Sequence, residues 1–73
     1  MTDEEIKDMI ESLKANEVLI DMALEDKAEG NYYGAGQLIH QYDAMVEDEL
    51  EYWGVTYEWA VNNGLVVDTV GLV

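Results

Sequence analysis

The stretch Lys27-Ala28-Glu29-Gly30-Asn31-Tyr32-Tyr33-Gly34-Ala35-Gly36 decides the fold, because it stops one helix and starts another in immediate succession. Lys27 places a cation in a last helical turn, and Gly30 can take the left-handed conformation that closes a helix. Asn31 follows, and its side-chain oxygen can accept a free backbone N–H at the start of the next helix. A stop and a start this close predict an antiparallel helical hairpin turning about Gly30.

Downstream of the turn, Ala35, Leu38, Ile39, Tyr42, Met45 or Val46, Leu50 and Trp53 recur at helical spacing, and Gly54 closes the run. Gly34 and Gly36 each cost ~1 kcal/mol against Ala inside a helix, which points to a first turn that is loose or pressed against a neighbour. Upstream, Thr2 and Glu5 form a capping box, with Asp3 and Glu4 at the positive helix end. Ile6, Met9, Ile10 and Leu13 follow as an amphipathic stripe, and Lys7 can pair with Asp3 and Glu11. The apolar phase then shifts to Leu19, Met22 and Ala23, with Asn16 between, which predicts a break near residues 15–17.

After Gly54, Thr56 can cap a short helix carrying Tyr57, Trp59, Ala60 and Val61, ended by Asn63 and Gly64. The remainder, Leu65 to Val73, is rich in β-branched residues and holds one charge, Asp68. It reads as an extended segment with no strand to pair with, so it either lies across the helices or pairs with another chain. The expected fold is mainly α: one domain over residues 1–73, with three to four helices and an extended apolar C-terminal tail.

Ala23, Gly30-Asn31-Tyr32 and Ala35 together resemble the turn of a tetratricopeptide helical hairpin. The likeness covers about twenty residues and occurs once, whereas such arrays need about three copies to stabilise one another. Tyr42 stands where that family prefers a small residue. The resemblance implies a helical hairpin and carries no function.

Hydrophobic residues make up 49% of the chain, enough to bury a core in spite of the charge. That charge is the outlier. Seventeen Asp and Glu face three Lys and one His, for a net charge of -14, and no lysine follows Lys27. A folded chain of this mass exposes roughly 4,600 Å², or about 330 Å² per net charge. Duplex DNA about 20 Å wide presents one charge per ~110 Å². Imitating DNA therefore requires the carboxylates to collect on about a third of the surface. Solubility needs a net charge of only ~2–8, so a basic partner is the expected use of the excess. Adaptation to a high-salt cytoplasm is the other reading.

The sequence holds no Cys, which excludes disulfides and thiolate metal sites. No run approaches the ~20 apolar residues of a membrane span, and anionic membranes and nucleic acid would repel the chain. A cytoplasmic location is expected. His40 has Gln37 and Asp43 one turn to either side but no nucleophile in prospect, so no enzymatic activity is expected. Gln37 also occupies the position where a Glu-x-x-His di-iron motif needs its carboxylate, and no calcium loop is present. No catalytic, cofactor or metal site is expected.

The candidate partner-binding residues are Asp43, Glu47, Asp48, Glu49 and Glu51, near the negative end of the second hairpin helix. Glu47 and Glu51 are like charges one turn apart, and no lysine offsets them. A solvated face that guards Tyr52 and Trp53 is the competing explanation. A second acidic arc runs through Asp8, Glu11, Glu17, Asp21, Glu25 and Asp26. An antiparallel hairpin would bring Asp3, Glu4 and Asp8 beside the Glu47 group. Tyr33, from the adjacent Tyr32-Tyr33 pair, is the candidate aromatic anchor.

The expected function is an inhibitor that imitates the charge of nucleic acid and occupies the basic groove of a DNA- or RNA-binding protein. In size and charge the chain resembles small acidic proteins of phages and mobile elements that block CRISPR effectors, restriction enzymes or nucleoid proteins. The alternatives are an oligomerisation or adaptor module, with a homodimer through Val66–Val73, or an antitoxin masking a basic toxin.

Overall fold

The structure, a computed structural model, describes residues 2–72 and contains four helices. These are α1 (Asp3–Ala15), α2 (Val18–Ala28), α3 (Tyr32–Trp53) and α4 (Tyr57–Asn62). Among the described residues there is no strand. The mainly α fold read from the sequence is the fold observed.

Each predicted boundary has its local cause in the structure. The Thr2 hydroxyl accepts from the Glu5 backbone N–H, and the Glu5 carboxylate accepts from the Thr2 N–H, completing the capping box. At the hairpin turn the Gly30 φ is 84°, in the left-handed region, and the Asn31 N–H reaches back to the Asp26 carbonyl at 2.8 Å. That six-residue closure seals the end of α2. The Asn31 side chain accepts from the Gly34 N–H at 3.0 Å and so caps α3. A Cβ on Gly34 would press into that capping side chain, which accounts for a glycine in the first turn. A Cβ on Gly36 would meet no other atom, so its presence has no packing reason.

The break between α1 and α2 falls where the sequence placed it, at Asn16 and Glu17. Asn16 and Glu17 donate to the Leu13 and Lys14 carbonyls, and Leu19 and Ile20 donate to those of Asn16 and Glu17. All four bonds span three residues, so the chain tightens into one 3₁₀-type turn without reversing. Consequently the inward face continues from Leu13 to Ile20, seven residues or two turns on. Of the expected Leu19, Met22 and Ala23, Ala23 is buried as read and Leu19 is half-buried, but Met22 is 47% exposed and Ile20 takes the inward place instead.

Core residues come from every element: Met9 and Leu13, Ile20 and Ala23, the α3 stripe Ala35, Ile39, Tyr42, Val46 and Leu50, then Ala60, Leu65 and Val66. The choice between Met45 and Val46 falls to Val46, and Leu38 and Trp53 pack at the edge. α2 packs along α3, and α1 touches α3 more lightly. The molecule measures 43 × 18 × 18 Å.

Residues 65–72 lie across the hairpin. The Val67 N–H donates to the hydroxyl of fully buried Tyr42 at 3.0 Å, and the Tyr57 hydroxyl donates to the Val67 carbonyl at 3.3 Å. Farther along, the Thr69 hydroxyl donates to Asp43, 2.8 and 3.0 Å from its two carboxylate oxygens. The Lys27 ammonium donates to the Leu72 carbonyl at 2.8 Å. The tail thus runs back from α4 to the hairpin turn, antiparallel to α3. Tyrosines from two helices supply the partners that a neighbouring strand would otherwise give. Each such bond contributes about 0.5–1.5 kcal/mol net, and more where a carboxylate accepts.

Candidate protein-binding surface

α3 carries most of the candidate residues, and its 100° step per residue sorts them. With the buried stripe facing inward, Tyr33, Gln37, His40, Ala44, Glu47, Asp48 and Glu51 point outward, and all are exposed. Tyr33 is 80% exposed in the first turn. It lies fourteen residues before Glu47, about 21 Å at 1.5 Å per residue, so it does not share a patch with the carboxylates. Its neighbour Tyr32 is exposed as well.

The acidic group divides into two kinds of side chain. Asp43 is half-buried against the tail and receives Thr69. Glu49 is half-buried and accepts from the Trp53 indole N–H at 3.0 Å, while Trp53 meets Tyr52 edge to face at 5.0 Å. Asp43 thus ties the tail to α3, and Glu49 is engaged within its own helix. Glu47, Asp48 and Glu51 are exposed, and the last turn of α3 contains no basic residue. They constitute the free acidic surface of the helix.

α1 completes it. α2 packs along α3 back from the hairpin turn, and α1 leads into α2 without a reversal of the chain and touches α3. α1 therefore runs beside the C-terminal half of α3, and exposed Asp3, Glu4 and Asp8 share that end of the molecule with Glu47, Asp48 and Glu51. Their helical positions point in different directions, so the acids encircle this end and do not line a single face. The first half of α3, residues 32–42, holds no acid at all.

Burial is the main reason the Tyr42 pKa is raised, partly offset by the Val67 N–H it accepts, with Glu17, Tyr57 and Asp43 adding to the rise. Tyr42 thus remains a neutral acceptor for the tail. The Glu5 pKa is lowered by the backbone and hydroxyl of Thr2, in keeping with its capping role.

Two shallow clefts flank Tyr57. One, of ≈ 250 Å³, is lined by Asp43, Glu47, Thr69 and Val70; the other, of ≈ 260 Å³, by Glu58, Val61, Asn62 and Asp68. Both fall below the ~300–1,000 Å³ usual for a small-molecule site. Among the described residues no group of three or more acids and His40 is arranged to hold a metal ion. No helix of the described chain is long and apolar enough to cross a membrane.

The Val66–Val73 segment, considered above as a contact with another chain, is largely engaged within its own. Leu65 and Val66 are buried and Val67 is clamped, whereas Val70 is 86% exposed; Val73 lies outside the described residues. The sequence reading missed the tyrosine clamp. Its only signal was a polar-tipped aromatic, Tyr42, in the middle of an apolar stripe, and buried tyrosine hydroxyls generally find partners. No protein-family model, curated protein or solved structure matches the chain.

Proposed function

We propose that this protein binds a basic, nucleic-acid-binding surface of another protein and keeps nucleic acid from it, as an inhibitor of phage or mobile-element type would. The observation that supports the reading is the ring of unengaged carboxylates at one end, Asp3, Glu4, Asp8, Glu47, Asp48 and Glu51, on a chain of net charge -14. The surface of 4836 Å² spreads that charge at about 345 Å² per net negative. α1, α3 and α4 together carry eleven acids and two lysines. If they take half of the surface, the density there is about 270 Å² per charge, against ~110 for a duplex. That is about 2.5-fold short of duplex density, so the charge attracts a basic groove without matching DNA, and the binding free energy must include shape and apolar contacts as well.

The test is displacement of labelled duplex DNA from a CRISPR effector, a restriction enzyme and a nucleoid protein. Displacement should weaken steeply between about 50 and about 500 mM salt, because exposed charge pairs are screened. Replacing Glu47, Asp48 and Glu51 by their amides should weaken it at least about tenfold while the helical circular dichroism stays unchanged. Displacement that ignores both salt and substitution sinks the reading. An oligomerisation or adaptor role is favoured by a separate observation, an apolar side of the hairpin on which Met22 and Met45 are exposed.

A further inference from the structure

The tail covers one side of the α2–α3 hairpin, the side that carries Lys27 and Asp43. With helices antiparallel and 100° between residues, the opposite side presents Leu19 and Met22 from α2, and Leu38 and Met45 from α3. Their exposure agrees with that position: Leu19 and Leu38 are half-buried, Met22 is 47% exposed and Met45 39%. α2 is consequently apolar on its outer flank as well as its inner one, the pattern of a helix with packing partners on more than one side. Leu38 to Met45 is seven residues, about 10 Å or two helical turns.

We infer that this uncovered side is a receptor groove for a basic amphipathic helix of another protein, an inference that rests on the basic-partner reading above and adds how the partner is held. Charge complementarity selects the occupant. By the same 100° step, Asp26 follows Met22 by one turn on α2 and Glu49 follows Met45 by one turn on α3, so a carboxylate borders the strip at each end, and Asp48 lies just outside it on α3. A second copy of this chain would bring its own charge of -14 against the same borders. A helix with apolar residues at i, i+3, i+4 and i+7 and lysines or arginines along its edges satisfies both the strip and the borders. Two of the four apolar residues are methionines, whose flexible thioethers adapt to partners of differing shape.

The experiment uses the intact protein with methyl-labelled methionine and two synthetic peptides of about 18 residues, long enough for helix formation on a surface. One places Leu and Lys in amphipathic order; the other scrambles the same composition. The ordered peptide should bind at least about tenfold tighter and should move the methyl signals of Met22 and Met45. Met9, which is fully buried, should stay in place as the internal control. Met22→Ser with Met45→Ser should abolish the difference between peptides, and both sites are exposed enough to keep the fold. Equal binding of the two peptides, or unmoved Met22 and Met45 signals, overturns the inference. So does sedimentation showing a dimer that the double substitution dissociates, because the occupant is then a second copy. The two readings fail separately. Loss of DNA displacement with the methyl shifts intact removes the mimic and leaves the groove; salt-sensitive displacement with silent methyl groups does the reverse.

Discussion

The two sides of the α2–α3 hairpin start from the same materials and end differently. Both flanks offer apolar residues beside the buried stripe. On one, residues 65–72 lie down and are fixed by Tyr42, Tyr57, Asp43 and Lys27. On the other, Leu19 and Leu38 stay half-buried and Met22 and Met45 exposed. What separates them is the polar anchors, not the hydrophobicity. Apolar area draws a segment down without direction, whereas a hydroxyl that receives one backbone N–H fixes its register.

The strongest way to break the comparison is Tyr42→Ala, which removes the central anchor and opens a cavity. It should cost about 3–5 kcal/mol, read from urea unfolding. Tyr42 also gives the covered side a pH dependence. Its folded pKa is raised above the 10.0 of a free tyrosine, so its contribution is complete below about pH 10 and is lost as pH climbs through the folded value. A melting temperature that holds steady well above pH 10 would contradict the buried phenol.

Next in size is the contrast between two acids one turn apart. Asp43→Ala should cost about 1.5 kcal/mol by releasing Thr69, while Glu47→Gln should be neutral in the same melt. Equal effects would mean that Asp43 is as free as its neighbour. Glu51→Lys should raise stability by about 0.3–1 kcal/mol, since it puts a cation at the negative end of α3 and removes a like-charge pair with Glu47. The smallest effect belongs to the open side: Met22→Ser with Met45→Ser should shift stability by no more than about 0.5 kcal/mol per site. A loss of several kcal/mol would show these side chains to be core.

Much of this was legible in the sequence because its signals are local. Capping at Thr2, Asn31 and Thr56 depends on residues three apart, and each cap forms as read. The break at Asn16 was legible too, but its geometry was not. A 3₁₀-type turn and a full change of phase leave the same mark in a list of apolar residues, and the choice sent Met22 inward instead of Ile20. The tail contacts were out of reach for another reason. Val67 to Tyr42, Thr69 to Asp43 and Leu72 to Lys27 join residues 25, 26 and 45 positions apart. Nothing in a linear pattern selects which carboxylate a distant hydroxyl will find. In the sequence Asp43 and Glu49 are therefore indistinguishable from Glu47, Asp48 and Glu51, although the fold engages the first two and leaves the others to solvent.

The Lys27 grip on the Leu72 carbonyl has a practical side. It brings the end of the described chain to the hairpin turn, whereas Thr2 begins α1 at the acidic pole of a 43 Å molecule. A label, tag or surface linker joined after the tail therefore departs from the pole opposite Glu47, Asp48 and Glu51. Immobilised that way, the protein presents its acidic pole to the solution; joined through its first residues, it would hold that pole against the support.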